Sequence, residues 1–123
     1  MLNMLEVIME DKFSQQLKKG VLEMLVLKLI CTGPTYGYEL LTRLKEESGE
    51  RFLLKEGTLY PILYRLEDDG FITAQWSQGE GRAAPKKMYR ATEAGILENR
   101  RRMQVWQEFT ETVNGFYQGG TET

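Results

Sequence analysis

Histidine is absent from these 123 residues, and cysteine occurs once, at Cys31. Those two shortages exclude a disulfide framework and the usual Cys/His zinc sites, and they remove the commonest general base. Cys31 follows the apolar stretch Leu25-Val26-Leu27-Lys28-Leu29-Ile30, where a thiol packs like a small hydrophobe. No nucleophile–base pair, metal set or phosphate loop can be assembled, so an enzyme is the least expected class and no cofactor is expected. There is no run of about 18 apolar residues to span a membrane. The start, Met1 to Lys12, lacks the basic region and small-residue cleavage site of a signal peptide, so a cytoplasmic address is the default expectation. In-frame methionines at 1, 4 and 9 leave Met9 open as the natural start.

An excess of positive charge is also missing, since the formal net charge is -2. Its distribution matters more than its sum. From Arg82 to Arg102 there are seven bases (Arg82, Lys86, Lys87, Arg90, Arg100, Arg101, Arg102) against two acids, Glu93 and Glu98. Acidic residues gather at Glu6, Glu10 and Asp11 and again at Glu108, Glu111 and Glu122, so the chain is polarised along its length.

What is present is most informative at 56–70, which reads as a helix with two assignments. Leu59, Ile62, Leu63 and Leu66 recur at three- and four-residue spacing and gather on one face for a core. At about 100° per residue, Gly57, Pro61, Tyr64 and Asp68 point the other way, flanked by Thr58, Tyr60 and Arg65. A solvated face normally carries Lys, Glu and Gln, whereas this one carries tyrosines, whose rings are apolar and whose hydroxyls hydrogen-bond.

Around it the order of elements is regular. Ser14 is expected to cap a first, core-central helix to about Thr32 that contains Leu17, Val21, Met24, Leu25, Lys28 and Ile30, with Gly33-Pro34 as its stop. Thr35 is expected to cap a second helix, 36–48, with Leu40, Leu41 and Leu44 inward and Gly49 at its end. Beyond Gly70 the period changes to two: Ile72, Ala74 and Trp76 alternate with Thr73, Gln75 and Ser77 as a strand with one buried face. The glycine-bearing loop 78–85 leads to a second strand, 86–91, making a hairpin with a long tip. Thr92 caps a last helix, Glu93 to about Phe116, whose Ile96, Met103, Trp106, Phe109 (or Thr110), Val113 and Phe116 form a stripe. The expectation is a mainly α protein with a small β-hairpin: a winged helix-turn-helix at 14–91 and a long dimerisation helix at 92–117. Residues 1–13 form an extension of uncertain structure, and 118–123 a disordered tail.

Each candidate site has a plainer alternative. Tyr60 and Tyr64 are either half-buried packing residues or part of a helix set in a DNA major groove, where Gly57 lets the backbone approach closely, Pro61 shares the face, Thr58 meets a base or phosphate, and Tyr64 and Arg65 hydrogen-bond phosphates. Lys86 and Lys87 either block edge pairing of a surface strand or, with Arg82 at the loop, form a wing that reaches the phosphate backbone or minor groove. Arg100 to Arg102 read as the solvated side of the last helix, with DNA contact as the alternative. The stripe of that helix needs a partner, and a second copy of the chain is the economical one. Trp106 is expected in that interface, where two indoles across a two-fold axis could also form a slot for a flat aromatic ligand.

Tyr36-Gly-Tyr-Glu39, Glu56-Gly-Thr-Leu-Tyr-Pro-Ile-Leu-Tyr-Arg-Leu-Glu67 and Tyr89-Arg-Ala-Thr-Glu-Ala-Gly95, in this order and spacing, closely resemble the PadR family of bacterial transcriptional regulators over about residues 14–117. The resemblance implies a homodimeric winged-helix repressor on an inverted-repeat operator, released by a small molecule, of the subfamily with a single C-terminal dimerisation helix. It puts Thr58, Tyr60, Tyr64 and Arg65 in the recognition helix and Lys86 and Lys87 on the wing. Trp106 aligns with an interface tryptophan that in some members stacks on planar drugs. Met88 and Ala91 depart from the aromatic and leucine usual in the wing strand, and the first dozen residues match nothing in the pattern. Two rival readings remain: a winged helix used only for protein contacts, motivated by the negative net charge, and a dimer that sequesters aromatic ligands around Trp106.

Overall fold

The computed structural model describes residues 11–79 and 81–119. The reading of most of the 1–13 extension and of 120–123 lies outside them. Helix α1 runs Lys12–Cys31, and its cap is Asp11, whose carboxylate accepts from the Ser14 amide at 2.8 Å. That bond holds the Asp11 carboxyl below its usual range. The expected cap at Ser14 is therefore corrected by three residues. Asp and Ser cap about equally well, and the helix takes the earlier one because its first turn then gains a charged acceptor at its N-terminus. Lys12 and Phe13 are accordingly helical. α1 buries Leu22, Val26, Leu27, Leu29 and Ile30, whereas Leu17 stays exposed, so its first half is not core.

Helix α2 spans Gly37–Glu47, with Tyr36 in the cap position and no side-chain cap bond. Thr35 does not cap it, contrary to expectation. Its backbone instead pairs with a residue far along the chain: Thr35 N–H donates to Tyr89 O at 3.1 Å, and Tyr89 N–H to Thr35 O at 2.7 Å. Its hydroxyl donates to Glu39 Oε1 at 2.5 Å. After α2, Ser48 Oγ accepts from the amides of Arg51 and Phe52 at 3.1 and 2.9 Å, ordering the connection to the next helix.

Helix α3 spans Glu56–Asp68 and buries Leu59, Ile62, Leu63 and Leu66 completely or nearly so. Burying each such side chain contributes about 1.5–3 kcal/mol, which is what fixes this helix in place. Gly70 then takes φ +80°, a left-handed turn that glycine enters without a Cβ clash. Strands β1 (Ile72–Ser77) and β2 (Lys86–Ala91) pair antiparallel, in register from Ile72 opposite Ala91 to Ser77 opposite Lys86. The expected buried face holds at Ile72, is partial at Ala74, and has run out at Trp76, which is 66% exposed. The strand outlasts the core beneath it.

Helix α4 spans Glu93–Gln118, 26 residues, or about 39 Å at 1.5 Å per residue. Thr92 caps it as expected: its Oγ1 accepts from Gly95 N–H at 3.0 Å and donates to Gly70 O at 2.7 Å. Gln118, placed in the tail by the sequence, is helical. Gly95 lies flush against the chain before β1, where an added Cβ would fall 2.0 Å from the Phe71 carbonyl oxygen. Cys31 is partly buried, with its Sγ 3.8 Å from Gly95 O, and burial pushes its thiol up from the usual range. Three helices, a hairpin and a trailing helix follow in that order, the mainly α architecture with a two-stranded wing that the periodicities foretold.

Candidate nucleic-acid interface

The outer face of α3 is built from Gly57, Thr58, Pro61, Tyr64 and Arg65, all exposed. Nothing inside the protein requires the glycine, because a Cβ at Gly57 would meet no atom within 4 Å. Glycine is a poorer helix former than alanine, and Gly57 stands in the first turn of α3 with no packing need for it, which favours close approach from outside. Pro61, four residues on, has no N–H to offer the Gly57 carbonyl.

Tyr60 departs from the expected outward placement. It is half buried against the core, and its hydroxyl fills the space left by the missing side chain of Gly37, where a Cβ would sit 2.7 Å from it. Its ring lies 6.4 Å from that of Tyr64, tilted by 35°. Tyr64 remains 55% exposed. Behind them Tyr89 is buried, and its hydroxyl has no hydrogen-bond partner among the described residues. Burial, with smaller contributions from Tyr60, Glu67 and Tyr64, pushes this phenol up to about 12, so it stays neutral at physiological pH.

The hairpin leans on the same surface. Lys87 lies opposite Trp76, and its ammonium sits 5.9 Å from the Tyr64 ring centre and 5.8 Å from that of Tyr89. The Lys86 ammonium is 4.2 Å from the Tyr36 ring. Cations at such distances from aromatic faces gain about 0.5–1 kcal/mol at exposed sites, so the two lysines fasten the loop end of the paired strands to the helical layer while keeping their charge at the surface. Arg82 stands apart, exposed in the loop.

On the opposite flank of α3, Arg65 Nε donates to Glu23 Oε1 of α1 at 3.0 Å, and Arg102 of α4 reaches Glu23 Oε2 at 3.7 Å. Arg102 also binds Glu98 at 2.7 Å and lies 5.5 Å from the Phe71 ring. It is therefore packed into the α1–α4 seam, which corrects its assignment to a solvated side. Arg101 grips Glu98 with two nitrogens, at 2.8 and 2.9 Å. Arg101 foremost, with Arg102, holds the Glu98 carboxyl at about 2 against the opposing effect of burial.

Further along α4 the stripe Ile96, Met103, Trp106, Phe109, Val113 and Phe116 is 38 to 83% exposed. Leu97, Val105 and Tyr117, missed by the three-and-four spacing, are exposed beside it. Between α1 and α4 lies an open groove of about 780 Å³, walled by Leu17, Val21, Met24, Val105, Trp106 and Phe109 and rimmed by Arg65, Arg101 and Arg102. No group of three metal-ligating side chains occurs among the described residues, and no described helix is long and apolar enough to cross a membrane.

A helix with an open, tyrosine-bearing outer face beside a cationic hairpin defines a winged helix-turn-helix of the DNA-binding kind. The chain belongs to the transcriptional regulator PadR-like family, which matches residues 26–101. That family comprises transcriptional regulators, not enzymes. The chain is similar to the negative transcriptional regulator PadR of Bacillus subtilis (strain 168), 36% identical over 93 residues, which cover 76% of this chain and 50% of that protein. It thus spans half the length of that relative. Among solved structures it resembles a PadR family transcriptional regulator from Eggerthella lenta DSM 2243, with TM-score 0.76, 30% identity, and coverage of 88% of this chain and 91% of that one. It also resembles a PadR-like transcriptional regulator from Bacillus cereus strain ATCC 14579, with TM-score 0.73, 31% identity, and coverage of 85% and 99%.

Proposed function

We propose that this DNA-binding regulator acts as a homodimeric repressor on an inverted-repeat operator and is released by a small aromatic effector. In this reading the winged head of 14–91 reads DNA and the helix of 92–117 joins two heads. Gly57, Thr58, Pro61, Tyr64 and Arg65 approach the major groove, with Tyr60 as a half-buried support, and Arg82, Lys86 and Lys87 meet the backbone. The observation that carries it is the open face of α3, with a glycine the fold itself does not need, set between cations. Ile96, Met103, Trp106, Phe109, Val113 and Phe116 close the dimer.

Selection from a random duplex pool tests the reading. It should return palindromes whose half-sites lie about 34–36 Å apart. Binding should weaken with salt by about 0.9 in log-log slope per phosphate contacted. Replacing Lys86 and Lys87 by Ala should weaken all duplexes alike, whereas Thr58→Ala should also change sequence preference. Equal affinity for selected and random duplex at moderate salt would refute it.

The groove beside Trp106 supports a second reading, sequestration of aromatic ligands. Quenching of Trp106 fluorescence by planar compounds in a Trp76→Phe background, with duplex affinity unchanged, would favour sequestration over induction.

A further inference from the structure

We propose that α3 carries a second set of backbone contacts on the flank opposite the hairpin, supplied by Lys12 and Lys19 of α1, and that their ligand is duplex phosphate. The proposal rests on the DNA-binding reading and extends its footprint to residues the sequence had not singled out. Taking about 100° per residue, Thr58 and Arg65 share one flank of α3, while Tyr60 and Tyr64 share the other, which the hairpin covers through Lys87. Beside Thr58 and Arg65 opens a groove of about 550 Å³ between the first half of α1 and the segment leading into α3. Lys12, Lys18, Lys19 and Arg65 line it, and none of its lining residues is acidic.

These cations are not equivalent. Arg65 is held by Glu23, and Lys18 donates to the Arg51 carbonyl at 3.4 Å with its ammonium 5.9 Å from the Phe52 ring. Lys12 and Lys19 are exposed and hold no ion pair among the described residues. The duplex supplies what this arrangement lacks. A helix with side chains is about 10–12 Å across and the major groove about 12 Å wide, so a helix lying in it has a phosphate strand along each flank. The hairpin meets one strand, and the α1 lysines face the other.

The experiment is a salt titration of duplex binding by fluorescence anisotropy, using a duplex selected from a random pool and a scrambled control. The double variant Lys12→Ala/Lys19→Ala should reduce the magnitude of the log-log slope by about 1.8, two contacts at about 0.9 each, and weaken both duplexes equally. The neutral, longer Lys12→Gln/Lys19→Gln should behave the same way, which separates lost charge from lost helix packing. Sedimentation of each variant should match the wild type. An unchanged slope in both variants, with the Lys86→Ala/Lys87→Ala protein showing a reduced one, would overturn the second contact and leave the parent reading standing. Polyglutamate binding that depends on Lys12 and Lys19, with an unchanged duplex slope, would overturn it in favour of an acidic protein segment. A wild-type chain that binds no duplex would overturn the parent reading, and this one with it.

Discussion

Leu59, Ile62, Leu63 and Leu66 of α3 are at most 4% exposed, whereas Ile96, Met103, Trp106, Phe109, Val113 and Phe116 of α4 are 38 to 83% exposed. Both sets recur at helical spacing. The difference lies in what each helix crosses. α3, 13 residues long, packs against α1, α2 and β1. α4 docks through its first turns, where Gly95 meets Phe71 and Arg102 meets Glu23, and then outruns the head. Periodicity reports that a face is to be covered, and only the geometry says whether the same chain covers it. A contiguous exposed apolar face of this kind marks an interaction site.

The contrast can be broken most severely at Leu63. Leu63→Ala should cost about 2–5 kcal/mol in urea unfolding, whereas Val113→Ala, measured at a concentration where the chain is monomeric, should cost well under 1 kcal/mol. Equal losses would mean that α4 has a partner within its own chain. Next in size, for the homodimer proposed above, is Trp106→Ala, expected to weaken self-association by about 2 kcal/mol or more, roughly 30-fold in Kd. Sedimentation at matched concentrations would show it, and an unchanged dimer would remove Trp106 from the interface core. Gly95→Ala sharpens the comparison at the docked end. Its Cβ would collide with the Phe71 carbonyl, so a loss of about 1–3 kcal/mol in thermal unfolding is expected.

The smallest effect concerns pH. Glu98 titrates at about 2 when folded, below its ordinary 4.5, so its contribution is complete above pH 4.5 and fades as pH falls toward 2. Stability measured between those limits should decline more gently in Glu98→Gln. Identical slopes would show that the Arg101 and Arg102 contacts add nothing.

The head was largely legible in the chain. The four core positions of α3, both strands and the Thr92 cap follow from local spacing and local hydrogen bonding. Elsewhere the deciding partner lies far along the sequence. Thr35 has the chemistry of a cap, but its backbone is claimed by Tyr89. Tyr60 would face outward by angle alone, and it turns in because Gly37 leaves room for its hydroxyl. Arg102 resembles its solvated neighbours until Glu23, on another helix, is brought beside it. At Ser14 the rival was close, since Asp11 is an equally good cap three residues earlier. Lys12 and Lys19 carried no signal beyond charge, and only the position of α1 beside α3 sets them apart.

The pair of hydrogen bonds between Thr35 and Tyr89 has a mechanical consequence. It ties the middle of β2, where Tyr89 lies opposite Ala74, to the chain just before α2, so the stance of the hairpin beside α3 is set by the fold like the jaws of a caliper. A fixed gauge responds to the width of what enters it before it responds to any letter along the way. Duplexes whose grooves already match the setting would be admitted without deformation, and stiffer or wider ones would be charged the energy of bending. Discrimination of that kind would survive the loss of a base contact and fail when the clamp is loosened.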